Sequence, residues 1–451
     1  MNAAPLGWKA VAISEVAQVV GGGTPPSKDQ RCFAAPGQGI PWVTPADLSG
    51  YKLQEISRGS RDLTPAGLAA CSAKLLPAGA VLFSSRAPIG YVAIAGGPVA
   101  TNQGFKSFVF PEGIDSRFAY YQLRHIKPVA EALATGTTFK ELSGSAAAKL
   151  PFLLAPASEQ KRIADKLDTV LTRVDAVNTR LARVAPILKR FRQSVLAAAT
   201  SGRLTEDWRG GQSPDWNQPL FAEVVVESLT GLVRSASEQF SIKDGLVPYL
   251  KMNSVGEMWG YECVDLPGVH CSAEEFKRYE LRQGDWLFNT RNSVELVGKS
   301  CVWNGPAGVV FNNNLLRARF HSGINPMWVE IFFRSPKGRD LLAAVKSATT
   351  SVAAIYQRSL MGLPILRPPE EEQTEIVRRV ETLFNFADRL EARLQTAQSA
   401  TGRLTPALLA KAFRGELVPQ DPNDEPAIDL LRRLQQEAPS TSTRRGRKSA
   451  V

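Results

Sequence analysis

From Ile163 the apolar positions advance in steps of four and three, through Leu167, Val170, Val174, Val177, Leu181, Val184 and Leu188 to Phe191 and Val195. A stripe of 3.5-residue period stays on one side of an under-wound helix and can face a partner helix throughout, the mark of a coiled coil. A second seam of equal length runs through Ile376, Val380, Leu383, Ala387, Leu390, Leu394, Ala397, Thr401, Leu404 and Leu408, with Thr401 its polar member. The two are copies. LPFLLAPASEQ from Leu150 matches LPILRPPEEEQ from Leu363, and a shift of 213 positions keeps Gln160 on Gln373, Asp175 on Asp388 and Gly202 on Gly415. Equal seams predict two long helices that pair; the alternative is that each packs only on its own globular domain. Ser158 is placed to cap the first helix, and Glu370, Glu371 and Glu372 suit the positive start of the second. Gly202 and Gly415 end them. Pro186 and Pro406, each lacking a backbone donor, predict kinks.

The flanking regions repeat more loosely. Trp8 answers Trp216, Ile40 to Val43 answers Val247 to Leu250, and Gly79 to Phe83 answers Gly284 to Phe288, with Arg86 and Arg291 following at the same place. Thr101-Asn102-Gln103-Gly104-Phe105 has its counterpart in Asn312-Asn313-Asn314-Leu315. Short β-rich runs broken by Gly and Pro, with helical stretches over 117–134 and 327–346, predict a mixed α+β domain present twice. The order is domain, rod, domain, rod.

The 451 residues suit about three domains' worth of chain, and 44% hydrophobic with 22% charged residues excludes wholesale disorder. No apolar run reaches the length of a spanning helix and MNAAPLGWKA has no secretion signal, so the cytoplasm is the expected location. Five scattered cysteines (Cys32, Cys71, Cys263, Cys271, Cys301) indicate neither disulfides nor a zinc site. The net charge of +11 favours an anionic partner, nucleic acid before membrane. Its placement is uneven: residues 1–205 carry +11, 206–436 carry −3 and the tail +3.

Catalytic motifs are hard to find. Gly298-Lys299-Ser300 ends like a phosphate-binding loop, but Ser293 stands where its first glycine belongs. Gly21-Gly22-Gly23 runs into Thr24-Pro25-Pro26, a turn instead of a cofactor helix. Asp265, Glu275 and Lys277 imitate nuclease spacing without further support, and His125, His270 and His321 form no metal pair.

Together these strings resemble the specificity subunit of type I restriction-modification systems, over nearly the whole chain. The carriers are LPFLLAPASEQKRIADKLD at Leu150, SGRLTEDWR at Ser201, LPILRPPEEEQ at Leu363 and AFRGELVPQDPNDEPA at Ala412, with GGTPP at Gly22, SSRAPIG at Ser84 and TNQGF at Thr101. In the second domain TGLVRS near Thr230 stands for GGTPP and FNNNLL for TNQGF. The resemblance implies two α/β target-recognition domains joined by two long helices in an antiparallel intramolecular coiled coil. Their expected bounds are 1–155 and 202–368 for the domains, 156–201 and 369–414 for the helices, and 415–451 for a C-terminal segment ending in a disordered basic tail (Arg444, Arg445, Arg447, Lys448). It also implies a non-catalytic chain without cofactor that binds double-stranded DNA, each domain reading half of a split target while the coil sets the spacing. Two modification subunits would dock on it, supplying S-adenosylmethionine-dependent adenine methylation, with ATP- and Mg-dependent restriction subunits joining the complex. The other reading of the repeat is a coiled-coil scaffold with duplicated protein-binding domains.

Residue types name the candidate DNA contacts. Arg86 and Arg291 can bond guanine bidentately or meet phosphate. Asn102 and Gln103, with Asn312 and Asn313, carry amides suited to adenine but equally suited to turns. Lys106, Lys140, Arg317, Arg319 and Arg358 are candidate phosphate partners.

Overall fold

A computed structural model describes residues 5–136, 140–243, 245–256, 260–261, 265–348 and 352–437. Its chain divides into two compact units, residues 1–180 with 397–451, and residues 181–396. Among the described residues no helix is long and apolar enough to cross a membrane.

In the first unit, five strands lie in the order Gln18–Gly21, Lys106–Val109, Val81–Phe83, Val92–Ala95 and Glu55–Ile56. Beside them Ile40–Val43 pairs in parallel with Ala100–Thr101. The second unit repeats the plan. Val225–Thr230, Leu315–Phe320, Trp286–Asn289 and Ser300–Val302 form one sheet, and Val247–Leu250 pairs in parallel with Val310–Phe311. The α+β class and the duplication expected from the sequence are therefore present. Each expected helical stretch is two helices, Ser116–His125 with Lys127–Leu133 and Pro326–Arg334 with Pro336–Ala344. Pro128 and Pro336 stand in the first turn of each second helix, where a missing N–H does no harm.

The rods also take shape unit by unit. The first is broken at Arg183 into Ala157–Ala182 and Val184–Thr200, because Pro186 has no N–H for the carbonyl of Ala182. The second, Glu370–Ala412, continues unbroken through Pro406. In the first unit Ile163, Leu167 and Leu171 share a core with Leu409, Ala412 and Phe413. In the second unit Val195 and Leu196 pack with Ile376, Val380 and Phe384, while Arg192 reaches Asp388 at 2.5 Å and Glu391 at 2.8 Å. Later residues of one helix thus meet earlier residues of the other, an antiparallel pairing.

The seam itself is shifted. Ile163, Leu167, Val174, Leu188, Ile376, Val380 and Leu394 are buried as expected, but Val170, Leu181, Val184, Leu383 and Leu390 are half-buried and Val177 is exposed. Leu171 and Phe384 take the central places. Both helices open with steps of four, four and three (163, 167, 171, 174 and 376, 380, 384, 387), close to the 3.6 residues per turn of a straight helix. Ser158 is no cap: it lies inside the first turn and its hydroxyl donates to Asp424.

Each domain is fastened to its helix by one device. The indole N–H of Trp8 donates to Glu159 at 2.9 Å, and that of Trp216 to Glu372 at 2.8 Å. Next in sequence, Gln160 accepts from the Asp115 N–H at 2.9 Å and donates to the Ala155 carbonyl, as Gln373 does with the Asn325 N–H at 2.8 Å and the Pro368 carbonyl. The two carboxylates differ in company. Glu372 also binds Arg209 and Thr205, whereas burial pushes the Glu159 carboxyl up.

The joints differ two residues after these N–H donors. After Asp115, Arg117 reaches Asp168 and Asp165 at 2.8 Å and Asp115 at 3.3 Å, and Asp168 also accepts from Tyr121 and Gln54. At the matching place after Asn325, Met327 packs on an apolar core with Trp328 and Val380. One joint is ionic and the other apolar.

The C-terminal segment is partly folded. After Gly415, left-handed at φ 71°, Ala427–Glu437 forms a helix whose Ala427, Leu430, Leu431 and Leu434 complete the first unit's core. Asp424 anchors it by accepting from Arg162 at 2.6 Å. Arg444, Arg445, Arg447 and Lys448 lie outside the described residues, as does Cys263.

Candidate nucleic-acid interface

Arg86 leaves the strand Val81–Phe83 on a turn that Ser84 closes, its hydroxyl donating to the Pro88 carbonyl and accepting from the Tyr91 N–H, both at 2.7 Å. Between them Ser85 is held from two sides. Its N–H donates to the Gly104 carbonyl at 2.7 Å, and its carbonyl accepts from the Leu142 N–H at 2.9 Å. The same frame holds Thr290, before Arg291: its N–H donates to the Asn314 carbonyl at 2.9 Å and its carbonyl accepts from Ile355 at 3.0 Å. Each arginine thus stands where a strand end, an asparagine turn and the run into the domain's last helix converge.

The asparagine turns match atom for atom. The Asn102 N–H donates to Val43 and its Oδ1 accepts from Gly104 at 2.9 Å; the Asn312 N–H donates to Leu250 and its Oδ1 accepts from Asn314 at 3.2 Å. The Oδ1 of each asparagine therefore builds a turn; Gln103 beside the first is exposed and touches Thr24, and Asn313 beside the second is half-buried. GGTPP and TGLVRS share a constraint that their spelling hides. A Cβ on Gly22 would lie 1.9 Å from the Asn102 carbonyl oxygen, and one on Gly231 2.3 Å from that of Asn312. Only glycine admits so close a backbone approach.

Around Arg86 the structure gathers most of the first domain's candidates. Arg86 lies 3.4 Å and Lys106 3.8 Å from one carboxylate, that of Glu141, and Lys140 beside it is exposed. Glu141 was missed in the sequence, where 55 residues separate it from Arg86. In the second domain Arg291 and Arg358 are exposed, and neither side chain has a partner among the described residues. Arg317 and Arg319 require correction as phosphate partners. Arg317 is 1% exposed, bound to Glu227 and to the carbonyls of Arg278 and Glu280. Arg319 is clamped by Asp285 at 2.6 Å and Glu227 at 3.0 Å, which raises its pKa. Both guanidinium groups are thus taken up by partners within the domain, Arg317 buried and Arg319 half-buried.

The residues with catalytic spacing also have structural work. Lys299 is buried against the Val255 carbonyl, and Glu275 pairs with Arg234 at 2.7 Å while capping Ala273–Tyr279. Among the described residues no cluster of His, Cys, Asp and Glu could hold a metal.

The chain thus carries an α+β domain twice, each copy fixed on a long helix, with Arg86 and Arg291 at matching places. Residues 5–185 match the family model for the type I restriction modification DNA specificity domain. The chain is 34% identical over 293 residues to the EcoKI type I restriction enzyme specificity subunit of Escherichia coli, covering 64% of this chain and 62% of that protein. It is 30% identical over 345 residues to the EcoDI specificity subunit of Escherichia coli, covering 68% of this chain and 71% of that one. The chain belongs to the type I restriction enzyme specificity subunits. The fold is shared with a chain of a type I restriction-modification complex (TM-score 0.72, 22% identity, 92% of this chain and 100% of that one). It is also shared with the HsdS subunit of Thermoanaerobacter tengcongensis (TM-score 0.58, 20% identity, 92% and 98%).

Proposed function

We propose that this chain is the DNA sequence-specificity subunit of a type I restriction-modification complex, each recognition domain reading one half of a bipartite duplex target. The observation that carries the reading is the repeated station: Arg86 and Arg291 in one hydrogen-bond frame on two copies of a domain. A single small domain reads only a few base pairs, and two on a spacer multiply the selectivity. The domains run over 1–155 and 202–368, and the helices 156–201 and 369–414 set the spacing. The chain itself performs no catalysis. Two modification subunits dock on the helices and methylate adenine from S-adenosylmethionine; ATP- and Mg-dependent restriction subunits join through the complex. The setting is the cytoplasm. Arg86, Gln103, Lys106 and Lys140 serve the first half-site, and Arg291, Asn313 and Arg358 the second.

Methylation sequencing of a host expressing the chain with its cognate modification subunit tests this against a host lacking the chain. A split motif methylated on both strands and lost without the chain is expected. Methylation that does not depend on a folded, co-purifying chain overturns the reading.

A further inference from the structure

We infer that the Glu141 carboxylate occupies the place of a DNA phosphate at the first domain's station, so that the first half-site is bound by exchange with an internal ion pair and the second is not. The inference rests on the DNA reading above. One carboxylate, 42% exposed, faces two cations, Arg86 at 3.4 Å and Lys106 at 3.8 Å. These contacts are longer than the 2.6 Å of the Arg319–Asp285 pair in the other domain. Two cations facing one carboxylate leave the station with surplus positive charge. A phosphate offers the same arginine and lysine two oxygens and a similar charge.

The backbone there is fixed, so only the side chain can yield. Glu141 exchanges two hydrogen bonds with Thr135, at 2.9 and 3.1 Å, and Leu142 is tied to Ser85. Among its described residues the second domain shows no matching competitor. Matching Ser85 with Thr290 and Leu142 with Ile355 places Ala354 where Glu141 stands. Matching Phe105 with Leu315, whose carbonyls accept from Gly22 and Gly231 respectively, places the buried Leu316 where Lys106 stands. Arg291 pairs through its backbone with Ala354, and among the described residues no carboxylate is paired with its side chain.

The test uses the complete complex with its modification subunits and a fluorescent duplex carrying the methylated motif. Glu141→Gln removes the competing charge and keeps the shape, and is expected to tighten binding roughly two- to fivefold, the factor equivalent to a partly exposed ion pair. The gain should vanish in an Arg86→Ala/Lys106→Ala background and persist in Arg291→Ala. Ala354→Glu installs the carboxylate at the second station and should weaken binding by a similar factor, which keeps the test open should Glu141→Gln fail to fold. Unchanged or weaker binding by folded Glu141→Gln overturns the inference, as does an unaltered Ala354→Glu. A wild-type complex that does not prefer its motif over a scrambled duplex refutes the DNA reading instead.

Discussion

Replacing Arg117 with Met gives the ionic joint of the first unit the residue found at the apolar joint of the second. Arg117 is 31% exposed and meets three carboxylates, of Asp115, Asp165 and Asp168, which are 21%, 55% and 31% exposed. Partly exposed pairs contribute about 0.2–1 kcal/mol each, so the three together give about 1–3 kcal/mol after allowance for screening. The guanidinium also keeps three like charges apart, and its pKa is raised by the aspartates around it. Thermal unfolding of the first unit should therefore shift down by roughly 2–12 °C, at roughly 2–4 °C per kcal/mol for a unit of this size. Hydrogen exchange localises the effect. Amides of Ser116–His125 should exchange faster in the variant, and those of Pro326–Arg334 should not change. About 1 M salt, which shrinks screening to about 3 Å, should loosen the wild-type ionic joint and leave the variant unmoved. Equal salt responses from the two helices, or an unshifted melting transition, would refute the argument that charge holds this joint.

Glu330→Ala should destabilise the second unit by about 1–3 kcal/mol in urea titration, because the buried Arg334 loses its bond to this carboxylate. The Trp286 indole loses its acceptor in the same substitution. Leu430→Ala, which hollows the core under the C-terminal helix, should cost the first unit about 2–5 kcal/mol by the same titration. His125 stacks on Phe413, and burial, helped by Arg414, holds its pKa below the ordinary 6.5. As pH falls through 6.5 the unfolded chain takes up a proton that the folded unit resists, so stability is present above that range and is lost below it. His125→Phe should flatten this part of the melting-temperature profile between pH 7 and 5.5; an unchanged slope would exclude His125 as its source.

Much of this protein was legible along the chain. The repeat, the two helices, their glycine ends and the paired positions of Arg86 and Arg291 follow from local spacing, because a helix or strand imposes its period on neighbours a few residues apart. Even the Glu159-Gln160 and Glu372-Gln373 pairs that fasten domain to helix were visible as an exact repeat, though not what they bind.

Tertiary structure decided what the side chains do with that frame. Arg317 and Lys106 are both basic residues in strands, yet the first is enclosed by Glu227 and two carbonyls while the second, half-buried, lies beside Glu141 near Arg86. Glu141 reaches Arg86 and Asp424 reaches Arg162 across long separations in sequence, and Leu171 displaces Val170 because a nearly straight helix drifts from the heptad. Sequence alone determined which elements exist and that they exist twice, since those depend on short-range periodicity. Which charges remain available to a partner depends on long-range contacts that close only in the folded chain.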